Sequence, residues 1–310
     1  MTRGRVLAYL GPEGSFTHSA TGLVSVDVAE RVPMPDVKSV VNAVESGQVM
    51  FGVVPIENSV DGEVTSTVDE FVFGTLHTYA REEVVLPVSF DAFVVAADAA
   101  PKFVVSHPVA LAQCRRFIEK NGLVPVTASS TSAACRELAE SGRTDMVALG
   151  STAAGETYGL TPYRTKVEDN SRAHTRFVLL SQRLEPRRPG TDYRCWVAVI
   201  PPSNRVGVLA EILQFFADRG ISLLSVTTRP LRAELGAYCF LLSFDGHIDD
   251  AGVQDVMGEI AGIGGSVKVL GSMRKWRGDG VVPGMLQFGP LEPLNAGFVR
   301  GVPHPPEDPS

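Results

Sequence analysis

The chain has 310 residues, 44% hydrophobic and 20% charged, with a formal net charge of −7. That balance fits a soluble globular protein with a sizeable core and about two domains. The acidic charge and the lack of any apolar run near the roughly 20 residues of a membrane span point away from a nucleic-acid or membrane-surface protein.

Val6–Leu10 reads as a first strand, followed by a Gly-Pro-Glu-Gly loop and a weak helix capped by Ser15 or Thr17. Residues 39–47 read as a helix with Val40 and Val44 on one face and Gly47 at its end. A strand over 51–56 then runs straight into Glu57, Asn58 and Ser59. Ligands of open α/β proteins bind at the carboxyl ends of strands, so these three polar residues read as a cleft floor, although Glu-Asn-Ser alone is read more simply as a β-turn after a strand. Residues 64–73 read as a helix despite their β-branched side chains. Strands over 84–88, 92–97, 102–105, 124–128 and 145–149 alternate with helices after Pro108, over 133–140 and from Ser151; Val167 and 177–181 complete the α/β pattern.

Small hydroxyl residues stand between a strand and a helix at Ser15, at Ser106, at 129–132 and at Ser151-Thr152. Each alone is an ordinary N-cap. Together, as helix N-termini at one sheet edge, they would hold a di-anionic ligand with few basic side chains. Four scattered cysteines (Cys114, Cys135, Cys195, Cys239) read as buried reduced thiols, and six histidines without ligand spacing give no metal site. The apolar run at Val6–Leu10 is too short for a signal-peptide core, which implies a cytoplasmic protein.

Residues 184–190, with two prolines and a glycine, read as a linker. Beyond it come a strand at 195–200, a helix at 206–217, strands at 221–226 and 237–244, a helix at 253–263 and a strand at 267–270. That order, βαββαβ, is ferredoxin-like. From Trp276 to the end there are seven prolines and no periodic segment, so a disordered tail is expected. One further triplet groups side chains useful to an elimination, Thr175 as a hydroxyl donor, Arg176 as a fixed positive fork and Phe177 as an apolar wall, although alone it reads as a strand entrance with an exposed Arg and a buried Phe.

Taken together, YLGPEGSF (9–16), GVVPIENS (52–59), SHP-x-AL-x-QC (106–114), YGL (158–160) and TRF (175–177) resemble, in order, the signatures of prephenate dehydratases. RVGVLAEIL (205–213), TTRP (227–230) and VKVLG (267–271) resemble an ACT regulatory domain. The resemblance implies an α/β protein: a two-lobed periplasmic-binding-protein-like catalytic domain over 1–182, a linker over 183–192, a ferredoxin-like βαββαβ ACT domain over 193–273 and a tail over 274–310. The lobes would be residues 1–79 with 163–181, and 81–161. It implies Thr175, Glu57 and Asn58 as catalytic residues, and Ser59, Arg176, Phe177, Ser15 and Ser106 as substrate contacts. Gly207, Val208, Leu209, Ala210, Thr228, Arg229 and Pro230 would take L-phenylalanine as effector. No cofactor or metal is implied, because aromatisation drives the reaction. The implied partners are prephenate, L-phenylalanine and a second copy or three further copies of the chain.

The sequence departs from the family pattern at Phe90, where a polar residue is usual, at Ala173-His174, where an Asn is usual, and at Asp61 in place of Glu. In the ACT domain Gly207-Val208-Leu209-Ala210 replaces GALV, and Thr227-Thr228 replaces the Glu-Ser of ESRP. Two rival readings are a prephenate decarboxylase of the same fold, whose members typically lack the Thr of TRF, and a non-catalytic amino-acid sensor.

Overall fold

A computed structural model describes residues 5–171, 173–231 and 237–278. The chain begins with β1 (Val6–Leu10), α1 (Phe16–Thr21), β2 (Glu30–Met34), α2 (Val37–Glu45), β3 (Phe51–Asn58), the short β4 (Gly62–Glu63) and α3 (Thr65–Asp69). A π-helical turn (Glu70–Gly74) leads to β5 (Tyr79–Pro87). A second unit follows: β6 (Asp91–Val94), β7 (Phe103–Ser106), α4 (Pro108–Gln113), α5 (Arg115–Lys120), β8 (Val124–Thr127), α6 (Thr131–Ser141), β9 (Met146–Gly150), α7 (Thr152–Thr157) and β10 (Thr161–Arg164). The chain returns as β11 (His174–Ser181). It ends with β12 (Tyr193–Ile200), α8 (Val208–Ala217), β13 (Leu223–Pro230), β14 (Tyr238–Asp245), α9 (Ala251–Gly262) and β15 (Ser266–Arg274).

Two sheets result. The smaller runs β10-β6-β9-β7-β8, and the larger β13-β14-β12-β15-β5-β11-β3-β1-β2 with β4 paired to β3. The last four strands in sequence form the βαββαβ order anticipated above, with α8 and α9 closing a core of Val197, Val199, Ile212, Phe216, Leu242 and Val256. Their sheet does not stand alone. β15 pairs in parallel with β5, where Gly271 lies opposite Ala80. A side chain at 271 would overlap the Ala80 carbonyl, so only glycine permits this approach.

The sheets divide elsewhere than the expected lobe borders at 80 and 162. β5 stays in the large sheet to Pro87, and β10 stays in the small one. The crossings are therefore residues 88–90 and 165–173. They are tied to each other: Val88 N donates to Ala173 O at 2.7 Å and Val167 N to Phe90 O at 2.8 Å. The Glu168 carboxylate accepts from Ser89 Oγ (3.2 Å) and Phe90 N (3.0 Å).

β2, β4 and β10 are absent from the sequence expectations, and β5 starts five residues earlier than expected. β2 is a mostly exposed edge with a proline inside it, so it shows no apolar alternation. The early part of β5 contains Arg81, Glu82 and Glu83, yet Glu82 and Glu83 are buried, because arginines neutralise them. All four cysteines are buried and free, as expected, and burial pushes the Cys114, Cys135 and Cys195 thiols up to about 12. The expected tail falls almost entirely outside the described residues.

The segment at 184–190 is pinned. Glu185 is fully buried, its carboxylate paired with Arg81 Nε at 2.8 Å, Arg188 at 3.2 Å and Arg274 at 3.2 Å. Removing one member of a buried ion cluster leaves its partners uncompensated. Glu185→Ala should therefore lower the unfolding free energy by about 3–5 kcal/mol in urea denaturation.

Glu45, at the end of α2, closes the chain after the π turn by accepting from Leu76 N (2.9 Å), His77 N (3.0 Å) and Thr78 Oγ1 (2.6 Å). Partial burial pushes this carboxyl up, but the Thr78 hydroxyl and the two N–H groups outweigh it and hold it below the usual range. A depressed carboxyl stabilises the fold fully above its unfolded value and loses that contribution as pH falls through the folded one. In Glu45→Gln, the loss of stability on acidification should accordingly be shallower than in the parent chain, as read by melting temperature against pH.

Candidate active site

β11 lies antiparallel between β5 and β3. Thr175 is opposite Asn58, and Arg176 opposite Glu57. Successive strand residues point to opposite faces, so Thr175 and Phe177 share one face and Arg176 and Val178 the other. On the first face Asn58 Nδ2 donates to Thr175 Oγ1 at 2.9 Å. The amide orientation is set by its other end, where Oδ1 accepts from Val60 N (2.8 Å) and Asp61 N (3.2 Å). Thr175 is only 9% exposed, and since its oxygen accepts from Asn58, its own hydrogen is left to donate.

On the other face Arg176 Nε donates to Glu57 Oε2 at 3.0 Å and its Nη1 to Glu83 Oε2 at 2.7 Å. Burial alone would lower the Arg176 pKa, but Glu83 and Glu57 reverse that and hold it raised. Glu57 is half exposed, so the burial that would have made it a proton donor is missing. The structure thus brings Asn58 and Thr175 together and turns Glu57 and Arg176 away from them. The proposed substrate contact of Arg176 and proton donation by Glu57 do not fit this placement.

The remaining expected contacts are dispersed. Phe177 is 1% exposed and packs into the core with Leu7, Tyr9 and Val53, on the same face of β11 as Thr175 and two residues along it. The Ser59 hydroxyl accepts from His174 N (2.9 Å) and closes the end of the β3–β11 ladder. Ser15 caps α1, accepting from His18 N (3.1 Å). Ser106 is fully buried and donates to Leu149 O (2.8 Å), tying β7 to β9; the cap of α4 is His107 instead.

Loop 11–15 touches the second lobe closely. Ser132 Oγ and Tyr158 OH donate to Glu13 O, and Ser151 Oγ donates to Gly14 O at 2.7 Å. The N-terminal ends of α6 and α7 therefore grip the loop that follows β1. Tyr9 sits under this loop, stacked on His18 with ring centroids 4.9 Å apart. Burial, then Glu13 and Tyr158, raise its hydroxyl to about 12. Gln113 reaches across from α4, its Nε2 donating to Asp61 Oδ2 at 3.3 Å. Gln113 lies within the SHP-x-AL-x-QC string, so that motif carries the signal for this contact. Among the described residues no cluster of His, Cys, Asp and Glu could hold a metal, and no helix is long and apolar enough to cross a membrane.

In the C-terminal domain Gly207, at φ +84°, opens α8, with Val208 buried beneath and Leu209 and Ala210 in its first turn. Thr228, Arg229 and Pro230 end β13, the edge strand. Arg229 Nε donates to Asp69 Oδ1 at 3.1 Å, a contact with α3 of the first lobe. Thr228 lines a groove of 730 Å³ with Ile200, Leu231, Tyr238 and Phe240.

The prephenate dehydratase family model matches residues 7–185, and the ACT domain model matches residues 202–262. The chain belongs to the prephenate dehydratase family. It is 35% identical over 298 residues to the prephenate dehydratase of Mycolicibacterium gilvum, covering 89% of this chain and 93% of that one. Among solved structures it is similar to the prephenate dehydratase of Arthrobacter aurescens in complex with L-Phe (31% identity, TM-score 0.78, 87% of this chain and 89% of the other). It is also similar to a protein described as a novel type of quorum-quenching acylase (25% identity, TM-score 0.77, 88% and 98% covered). One backbone thus serves differently described proteins, and the chemistry has to be read from the site. The architecture is that of the family: a two-lobed periplasmic-binding-protein-like unit followed by an ACT domain.

Gly14 holds φ +77°, and a Cβ there would lie 2.8 Å from Ala154 Cα in α7. Gly14→Ala must displace the loop from the second lobe. A misplacement of ~1 Å can cost about 100-fold in rate, so kcat/KM on prephenate should fall by that order while the melting temperature shifts by only a few degrees.

Proposed function

We propose that the chain catalyses the decarboxylative dehydration of prephenate to phenylpyruvate, CO2 and water in L-phenylalanine biosynthesis, with L-phenylalanine as effector. The observation that carries this reading is the Asn58–Thr175 hydrogen bond beside the crossings between the lobes. In the reaction the ring C–COO⁻ bond breaks, its electron pair enters the ring, and the C–O bond on the opposite side breaks to release oxygen. The departing hydroxide needs a proton or a strong hydrogen bond, and Thr175 has a hydrogen to give. Asn58 holds that hydroxyl in one orientation, and its amide is itself held by two backbone N–H groups. Phe177 and its core neighbours supply an apolar wall on the same face of β11, which keeps water from that side of the Thr175 hydroxyl.

The effector assignment is supported by the ACT domain and by the L-Phe complex of the Arthrobacter relative. Thr227 and Thr228 stand where a Glu-Ser pair is usual, so the contacts to phenylalanine differ from the common pattern. A homodimer or homotetramer is supported by the exposed edge strand β13, which shows Leu224 and Val226 to solvent in a single chain. A biosynthetic role of this kind supports a cytoplasmic location. The domain limits we adopt are 1–182, 183–192 and 193–273, with the tail at 274–310.

Purified protein incubated with prephenate should generate the aromatic absorbance of phenylpyruvate. Thr175→Ala should lower kcat by about 10²–10⁴-fold, the usual range for a lost proton donor, with KM changed by less than threefold, and Thr175→Ser should restore most of the rate. A non-aromatic decarboxylated product, or unchanged prephenate, would contradict the reading.

A further inference from the structure

The face of β11 opposite Thr175 carries a chain of charges, two of whose members, Glu83 and Arg194, stand outside every motif. Glu83, in β5, is 2% exposed. Its Oε2 accepts from Arg176 Nη1 at 2.7 Å, and its Oε1 lies 2.7 Å from Arg194 Nε in β12. Arg176 in turn holds Glu57 at 3.0 Å. The order is Glu57, Arg176, Glu83, Arg194. The first two are the immediate chain neighbours of Asn58 and Thr175, and the last belongs to the ACT sheet.

We propose that Glu83 is a positioning residue for the dehydration. It fixes the ends of β3 and β11 through Arg176, and it transmits the state of the ACT domain to them through Arg194. The inference rests on the function proposed above. Thr175 cannot twist against Asn58 without turning Arg176 and Glu57 on the reverse face, and Glu83 resists that turn from a buried position. The two contacts of Glu83 differ in kind. That to Arg176 is a hydrogen bond between neighbouring strands of the catalytic unit, whereas that to Arg194 is an ion pair reaching a strand of the other domain, with no hydrogen bond between its two buried atoms. The Arg194 end is therefore the one that can reset. Space for resetting exists, since a cavity of 420 Å³ lies between the domains there, walled by Glu57, Arg176, Arg194, Leu224 and Trp276. Burial lowers the Arg194 pKa, with Glu83 opposing the fall and Arg176 adding to it. Without Glu83 the two guanidinium groups would face each other unshielded.

A mere structural staple would change stability and leave the kinetics of folded enzyme alone. Glu83→Gln keeps the shape and removes the charge. We expect kcat to fall 10- to 100-fold with KM within threefold, and faster hydrogen–deuterium exchange over residues 174–177. In Arg194→Gln the fractional change in rate on adding L-phenylalanine should shrink at least fivefold, and Arg194→Lys should restore most of it. A lower melting temperature with unchanged kcat and unchanged exchange at 174–177 in Glu83→Gln would overturn the positioning role. An undiminished phenylalanine response in Arg194→Gln, or none in the parent chain, would overturn the transmission. The exchange measurement needs no substrate, so it reads whether Glu83 holds residues 174–177 even if the parent chain forms no phenylpyruvate, a failure that would count against the proposed reaction instead.

Discussion

The antiparallel pairing of β11 with β3 is the constraint on which the site depends. Two short motifs, more than a hundred residues apart, are aligned by it so that Thr175 meets Asn58 and Arg176 meets Glu57. The period of two along a strand then sorts these four residues to opposite faces. One face receives a neutral hydrogen-bonded pair suited to proton donation. The other receives an ion-paired cluster facing the ACT sheet. A slip of one residue in register would exchange the two faces and leave neither arrangement intact.

The large sheet gives this separation a physical purpose. Because β15 joins β5, the regulatory strands and the catalytic strands share one hydrogen-bonded ladder, with β11 next in line. Side chains reinforce the join on several sides. Arg229 reaches Asp69 in α3, and Lys268 Nζ donates to the carbonyls of Phe71, Val72 and Thr75 around the π turn. Both contacts land on the segment that follows Asn58. Glu185 fastens the connecting chain between Arg81 and Arg274, so the seam between the domains is rich in buried charge. Such pairs are a poor source of net stability, and their better-attested use is to specify one arrangement over others.

Much of the fold was legible before the structure. The alternating α/β pattern, the βαββαβ order and a hydroxyl cap at 15 or 17, within 129–132 and at 151 or 152 follow from local chemistry, and local chemistry is what a sequence displays. The edge strands β2 and β10 were not legible, since an exposed strand has no apolar alternation to reveal it. The start of β5 was hidden for a different reason: Arg81, Glu82 and Glu83 look like solvent-facing residues until their partners from distant strands are known. The site shows the same division. Asn58 and Thr175 are singled out by their motifs and meet in the structure, whereas the direction of Arg176 and Glu57 needed the register. Ser106 looked like a ligand contact and is a buried strut.

On the function proposed above, Asn58 and Thr175 act as one unit on the leaving oxygen. A double-mutant cycle on kcat tests it most directly: Asn58→Ala, Thr175→Ala and the double variant, each folded as judged by its melting curve. If Asn58 works only by orienting the Thr175 hydroxyl, removing it from a chain that already lacks that hydroxyl should cost almost nothing further. Losses that simply multiply, so that the double variant falls by the product of the two single effects, would show the two residues acting independently and would contradict the account.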